Sequence, residues 1–431
     1  MSVSKSSGIN TTSQKKAFSA EGKSLIDINL EKAKELINSD IPAAAKLASE
    51  ALELSSRKVL GDFYYPLGKA NALLILAEIQ QKNSNLNESA RLLKKALGIF
   101  ESIPDFIGIT DCKIISGKIL NSKAKSDEAF ILFDEAYSLA LKISYNFGLF
   151  NALLNKANIL LANGDSQLAE KTYHECLKIS KKLSNNKKSQ IYKVYSNLGA
   201  FYSNSGKIKE SLKYYNLGLK VTEEFGNING KIILCLNITC VYNQIGEYQK
   251  AYEISENLIP VCKSINDEKN LFHAYSNLVA QSSNLNLNEK AFEYAMLGYK
   301  LVEKSKDKIL ICHANLNLGM GYFAIGQLSK AEEYYKTGIK IAEEFHLVNE
   351  LTEGYRRLSK ISKSNDEILK SIDKLIHSAN LLKNSGYTAK LSIIYKQIAF
   401  LYEKINKLDK SVEYHKLSDE LNKFNKNLLK K

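Results

Sequence analysis

The chain has 431 residues, of which 45% are hydrophobic and 25% charged, a globular composition that excludes a wholly disordered protein. Four prolines and 22 glycines are too few for the turns of an all-β protein, and no apolar run is long enough to span a membrane. The net charge of +14 arises from 60 basic and 46 acidic residues, but the lysines are spread along the chain, which favours a solvated surface over a nucleic-acid-binding site.

The two ends of the chain differ in composition from its middle. Residues 1–23 are rich in Ser, Thr and Lys and contain no apolar segment of the kind found in secretory signals, so we predict a disordered basic tail there. The region 24–424 is predicted to be helical, and 425–431 form a basic C-terminal tail. Six cysteines without a Cys-x-x-Cys pair suit a reducing compartment, so we expect a cytoplasmic protein.

One small residue recurs at a fixed spacing along almost the whole chain. Seven of the nine steps are 40 residues long, one is 42 and one is 45. These positions, called the register positions below, are Ala44, Ser89, Ala129, Ala169, Ser211, Ala251, Ala291, Ala331, Ser371 and Ser411. A constant period of this length predicts a stack of repeats instead of separate globular domains.

Each repeat is predicted to consist of two helices joined by a tight turn. A small residue stands twelve positions before the register position, as at Gly199, and an aromatic residue stands four positions after it, as at Tyr215. The turn is marked five positions before the register position by Gly164, Gly206, Gly246, Asn286 and Gly326. Glycine and asparagine end helices because they enter the left-handed backbone region at low cost. We expect the aromatic ring of the second helix to lie against the small residue of the first.

Prolines and one insertion add local expectations. Pro42 and Pro66 are predicted to start helices, where a missing N–H costs nothing. Pro260 falls late in a second helix and is predicted to end or kink it. The two extra residues of the 42-residue step predict an exposed loop at 183–189.

This pattern of small and aromatic residues resembles the tetratricopeptide repeat. The period of 40 is similar to that of the longer repeats of kinesin light chains, Partner-of-Inscuteable adaptors and bacterial signalling proteins. The tryptophan of the family's usual signature is replaced by Tyr195, Tyr275, Tyr355 and Tyr395. The resemblance implies an all-α, right-handed superhelical solenoid of about ten repeats, in which the first helices line a concave groove.

An asparagine stands fourteen positions before the register position in five consecutive repeats. This asparagine row comprises Asn155, Asn197, Asn237, Asn277 and Asn317, and Arg357 and Gln397 continue it. A carboxamide offers one acceptor and two donors, which complement a peptide unit. The resemblance implies that the row holds the backbone of an extended peptide. Two alternatives are that these asparagines bond one helix to another, or that they reflect an asparagine-rich genome.

A basic group lies on the first helix of the ninth repeat. It comprises Arg356, Arg357, Lys360 and Lys363. This group predicts a site for acidic side chains or a terminal carboxylate, which arginine binds through two parallel hydrogen bonds. The alternative is an open, solvated helix surface. His273 and His313 occupy equivalent places in adjacent repeats and are either ligand contacts or ordinary surface residues.

The sequence shows no arrangement of residues typical of catalysis, metal binding or cofactor binding. Gly319-Met-Gly321 lacks the third glycine of a nucleotide-binding loop. We therefore predict a non-enzymatic adaptor, without cofactor or metal, that binds an extended peptide or protein segment in the groove. The alternative is a signalling regulator that acts on a separate kinase or transcription factor, as the resemblance to bacterial peptide receptors implies. The sequence leaves the partner and the oligomeric state open.

Overall fold

The computed structural model describes residues 8–37, 40–56, 65–123, 125–345, 347–361, 365–383 and 388–428, and within these ranges every regular element is a helix. The helices are α1 (Gly8–Leu36), α2 (Ile41–Ser56), α3 (Pro66–Lys82), α4 (Leu86–Ser102), α5 (Phe106–Ser122), α6 (Ser126–Lys142), α7 (Asn146–Ala162), α8 (Ser166–Ser180), α9 (Asn185–Lys188), α10 (Tyr192–Asn204), α11 (Ile208–Glu224), α12 (Ile228–Gln244), α13 (Tyr248–Ser264), α14 (Glu268–Asn284), α15 (Asn288–Val302), α16 (Lys308–Ala324), α17 (Leu328–Glu344), α18 (Val348–Ile361), α19 (Asn365–Leu382), α20 (Thr388–Lys404) and α21 (Leu408–Leu428). Helices that follow one another pack together, as in α16 on α17 and α17 on α18. The prediction of an all-α helical-repeat solenoid is confirmed.

The helices form two compact units. Unit 1 comprises Met1–Leu160 and Gln167–Lys187, and unit 2 comprises Leu161–Ser166 and Lys188–Lys431. In unit 2 the first helices of successive repeats are α10, α12, α14, α16, α18 and α20. Helices α10 and α20 contact each other although four first helices separate them in sequence. The first helices therefore line the inner side of unit 2.

The register positions are the tightest points of the helix packing. All ten are buried, with exposed fractions between 0% and 2%. At two of the serine positions the hydroxyl bonds the second helix to the first: Ser89 Oγ donates to the Ala77 carbonyl at 2.6 Å, and Ser211 Oγ donates to the Gly199 carbonyl at 2.8 Å. The small residue therefore recurs with the repeat period because the two helices of each repeat approach each other closely at this position.

The predicted contact between an aromatic ring and a small residue is confirmed. A Cβ atom at Gly199 would lie 2.5 Å from the ring of Tyr215, and one at Gly319 would lie 2.5 Å from the ring of Tyr335. The ring occupies the space that a larger residue on the first helix would need. This close approach explains why the two positions keep a fixed spacing.

The turns between the helices also follow the prediction. The four glycines five positions before the register position have φ between 74° and 92°, and Asn286 has φ of 59°. Only residues that tolerate the left-handed region are found readily at such positions. Ser84 and Asn406 occupy the same position with φ of 62° and 60°, so the turn favours glycine and asparagine but also accepts serine.

The helical boundaries at the two ends differ from those expected. Helix α1 begins at Gly8, so residues 8–23, predicted to be disordered, are helical in the structure. The segment is rich in Ser and Thr, but it also contains Lys, Ala, Gln and Glu and no proline, and these residues favour helix. Helix α21 extends to Leu428, beyond the predicted boundary at 424. Residues 1–7 and 429–431 lie outside the described ranges.

Two further local expectations need correction. The segment predicted as a loop at 183–189 contains the short helix α9, Asn185–Lys188. Pro260 does not end its helix, because α13 continues to Ser264, and a kink at this residue stays a prediction. The buried Leu258 and Cys262 on either side of Pro260 hold this last turn against its neighbours. Pro66 is the first residue of α3 and Pro42 the second residue of α2, as predicted.

Candidate functional site

The asparagine row lies on first helices, but its members belong to different units. Asn155 is in α7 of unit 1, where its Nδ2 donates to the Asn151 carbonyl at 2.7 Å, within the same helix. The other four are in unit 2, on α10, α12, α14 and α16. The four asparagines of unit 2 form a row of their own.

Three asparagines of unit 2 bond one first helix to the preceding one. Asn237 Nδ2 donates to Ser196 Oγ at 3.1 Å, and Asn277 Nδ2 donates to Thr239 Oγ1 at 2.8 Å. Asn317 Nδ2 donates to Ser276 Oγ in the same way. The structure thus shows the bonding between helices that the sequence left open as an alternative.

These bonds use only part of the hydrogen-bonding capacity of the carboxamides. Each Nδ2 carries two hydrogens, and one hydroxyl partner occupies one of them. The Oδ1 atoms of Asn237 and Asn277 accept no hydrogen bond from the described part of the chain, and both side chains are half-buried. One acceptor and one donor per carboxamide thus stay available on the inner side of unit 2.

The two arginines of the basic group surround a carboxylate. Arg356 Nε donates to Glu353 Oε2 at 2.7 Å, and Arg357 Nε donates to Glu353 Oε1 at 2.6 Å. Burial acts to raise the pKa of Glu353, but the charges and hydrogen bonds of Arg357 and Arg356 outweigh it and lower the pKa to about 2. Part of the positive charge expected on this helix is therefore neutralised within it.

Arg357 and Lys404 continue the bonding between first helices. Arg357 Nη1 donates to the Leu316 carbonyl at 2.7 Å, and Lys404 Nζ donates to the Ser359 carbonyl at 2.7 Å. Lys360 is exposed, whereas Lys363 lies outside the described residues. The binding of an acidic group by this basic helix stays a prediction.

Gln397, the last member of the row, has an unsatisfied acceptor. Its Oε1 atom is buried, and no donor in the described ranges reaches it. A buried polar atom without a hydrogen bond lowers the stability of the fold, and because this atom is closed to solvent, a peptide in the groove does not reach it.

The two histidines lie on adjacent first helices. His313 Nε2 is 3.1 Å from Glu350 Oε1, and burial together with the neighbouring His313 lowers the pKa of His273. Among the described residues no group of three His, Cys, Asp or Glu side chains is placed to hold a metal ion. None of the described helices is long and apolar enough to cross a membrane.

Glu353 and the hydroxyl partners were not predicted from the sequence; these partners are Ser196, Thr239 and Ser276. A signal for Glu353 was present, because it stands three and four residues before the two arginines, and residues at these spacings are neighbours on a helix surface. Ser196 and Ser276 each precede an asparagine of the row directly, but a partner on another helix is visible only in three dimensions.

Comparison with known proteins identifies the repeat. The model of the tetratricopeptide repeat family matches residues 148–224, and a second model of this repeat matches residues 313–345. The outer dynein arm-docking complex subunit 4 of Homo sapiens is 25% identical over 179 residues, which are 41% of this chain and 27% of that protein. The chain thus spans less than a third of the length of this relative.

Two solved structures share the fold over most of the chain. A Rap protein complexed with Competence and Sporulation Factor has a TM-score of 0.60 at 14% identity, covering 93% of this chain and 99% of that one. NprR in complex with its cognate peptide NprX has a TM-score of 0.56 at 14% identity, covering 82% and 99%. The fold is that of a helical-repeat solenoid. The chain contains tetratricopeptide repeats in the two regions that the family models match.

Proposed function

We propose that unit 2 binds an extended peptide or protein segment along its inner side and serves as a cytoplasmic, non-enzymatic interaction adaptor. The observation that carries this proposal is the pair of carboxamides, Asn237 and Asn277, whose Oδ1 atoms accept no hydrogen bond from the described chain. The two side chains lie on neighbouring first helices, α12 and α14, and each keeps one acceptor and one donor for a peptide backbone.

Hydrogen bonds of this kind do not by themselves give a useful affinity. At about 0.5–1.5 kcal/mol each, a few of them fall short of the roughly 8 kcal/mol of micromolar binding. Exposed apolar side chains on the same helices supply further contacts. Ile233 stands one turn before Asn237 and is 36% exposed, and Ile393 and Phe400 flank Gln397 with exposed fractions of 48% and 56%.

The solved relatives support this proposal by their fold and by their ligands. NprR was crystallised with a peptide, NprX, and the Rap protein with Competence and Sporulation Factor. For this chain they support one general property, the binding of a peptide by a helical-repeat solenoid. Lys360 and the half-neutralised Arg356 and Arg357 would receive an acidic side chain or a terminal carboxylate of the bound segment.

Site-specific photo-crosslinking tests the location. A photoreactive benzoylphenylalanine replaces Ile233 on first helix α12 or, as the matched control, Leu297 on second helix α15, which is 39% exposed. Crosslinked products from the native cytosol are identified by mass spectrometry. We expect one linear segment to be captured from position 233 and not from position 297. Equal capture from the two positions contradicts the proposal.

A regulatory role is the second candidate, favoured by the contact between α10 and α20. Helices α10 and α20 are the first and the last of the first helices of unit 2, and they contact each other. A ligand bound between them would therefore change the contact between α10 and α20. Hydrogen exchange of α10 and α20 with and without the captured segment distinguishes the roles. A change of protection in α10 and α20 supports a switch, and unchanged protection supports a passive adaptor.

A further inference from the structure

A cavity of about 240 Å³ opens between α17, α18 and α19, away from the asparagine row. Its floor consists of Ile339, Leu358 and the ring of Tyr355, and Lys336, Lys340 and Lys370 form much of its rim. This volume is below that of a typical small-molecule site but holds a single apolar side chain.

The repeat register shows how this junction differs from the preceding one. In the preceding repeat the position of Ile339 is taken by Tyr299, whose ring centre lies 5.9 Å from that of Tyr334 on the next second helix. At the position of Tyr334, the following repeat has Lys374. An isoleucine and a lysine thus replace a pair of tyrosine rings, which leaves space and adds positive charge.

Glu343, the acidic residue that lines the cavity, already has partners within the protein. Glu343 accepts a hydrogen bond from the Tyr355 hydroxyl at 2.9 Å and pairs with Lys374 at 3.2 Å. Lys340 and Lys370 are exposed and form no ion pair with any residue in the described part of the chain. The rim is therefore positive around an apolar floor.

We propose that this cavity binds an acidic segment of a partner protein, with one aliphatic or aromatic side chain inserted between flanking carboxylates. The apolar floor receives the side chain, and Lys340 and Lys370 face the carboxylates. A second copy of this chain is a poor occupant, because its net charge of +14 opposes the charge of the rim. The site goes beyond the peptide-binding surface proposed above and lies largely on second helices.

The test uses a short fluorescein-labelled peptide with a central leucine flanked by aspartate and glutamate, and fluorescence anisotropy with the full chain. We expect Lys340→Glu combined with Lys370→Glu to weaken binding about tenfold or more, since two favourable charge contacts become repulsive. The matched control is Lys300→Glu with Lys330→Glu, which makes the same charge change at the equivalent positions of the preceding repeat. The control is expected to change the affinity less than about threefold, by general charge alone.

A second variant tests the apolar part of the site. Ile339→Tyr restores the aromatic residue of the preceding repeat and is expected to abolish binding while all lysines remain; circular dichroism checks its fold. The variant Asn237→Ala with Asn277→Ala is expected to bind this probe like the wild type. Equal losses in the two lysine pairs, unchanged binding by a folded Ile339→Tyr, or no binding by the wild type at millimolar concentration each overturn the proposal.

Discussion

Arg357 on α18 donates from Nη1 to Asn317 Oδ1 on α16 at 3.2 Å, so an arginine and an asparagine of the same sequence row are bonded to each other. The same nitrogen donates to the Leu316 carbonyl at 2.7 Å. Asn317 in turn bonds to Ser276 on α14. Three first helices are thereby joined by side-chain bonds on one side of unit 2.

These bonds predict that replacing Arg357 by alanine lowers the free energy of unfolding more than replacing the neighbouring Arg356. Arg357→Ala removes contacts to Leu316, Asn317 and Glu353 and is expected to lower the free energy of unfolding by about 1–3 kcal/mol. Arg356→Ala removes only bonds to Glu353 on its own helix and is expected to cost less than about 1 kcal/mol. Urea denaturation of the two variants measures the difference, and equal losses contradict the role given to Arg357.

Asp111 in unit 1 predicts a pH dependence of stability. Tyr145 donates its hydroxyl to both carboxylate oxygens at 3.2 Å, and burial raises the pKa of Asp111 to about 7, while Lys34 and Lys187 oppose this rise and Glu78 adds to it. Between about pH 4 and pH 7 the folded state holds a proton that the unfolded state has lost, so stability falls as the pH rises.

Asp111→Asn removes this fall and keeps an acceptor for Tyr145. Near pH 8 we expect the variant to be more stable than the wild type by about 1–3 kcal/mol, and near pH 4 to equal it, because both side chains are then neutral. Thermal unfolding at the two pH values measures the difference. A constant offset between the two proteins at both pH values would falsify the assignment to Asp111.

The contact between Gly199 and Tyr215 predicts a loss of stability when Gly199 is replaced by alanine, the next larger residue. Gly199→Ala places a methyl group 2.5 Å from the Tyr215 ring and is expected to destabilise unit 2 by about 1–3 kcal/mol. Gly298→Ala is the control, because its nearest neighbour atom would lie 3.6 Å away. There the better helix propensity of alanine is expected to stabilise by up to about 1 kcal/mol. Melting curves that shift in the same direction for both variants argue against the packing account.

Gln281 on α14 predicts a stabilising substitution. Its side chain is 0% exposed, and neither its Nε2 nor its Oε1 finds a hydrogen-bond partner within the described residues. Gln281→Leu keeps most of the volume and removes two unsatisfied polar atoms, so we expect a gain of about 1–3 kcal/mol in chemical denaturation. A loss of stability instead shows that the amide is bonded to an ordered water.

The repeat architecture was predictable from the sequence because its determinants are local and periodic. The burial of Ala251, the left-handed turn at Gly246 and the ring of Tyr215 over Gly199 each follow from residue size or backbone preference at a fixed offset. Each repeat shows the same pattern of small, aromatic and turn residues, so the pattern can be recognised from the sequence of a single chain.

The use of the polar side chains was less predictable, because it depends on partners in other repeats. The sequence gives the asparagine row, but only the structure shows Asn277 bonded to Thr239, which is 38 residues away. The two arginines are part of an ion cluster because Glu353 happens to share their face. The cavity beside Lys340 depends on an isoleucine and a lysine that stand where the preceding junction has Tyr299 and Tyr334.

The most direct test of peptide binding separates the two roles of the carboxamides. Asn237→Ala with Asn277→Ala removes both the interhelix bonds and the free acceptors, whereas Ser196→Ala with Thr239→Val removes only the interhelix bonds. The dissociation constant of the segment captured at position 233 is measured by titration calorimetry for both pairs. We predict a loss of about fivefold to a hundredfold for the asparagine pair and little change for the hydroxyl pair. Equal affinities of the two double variants would contradict the account.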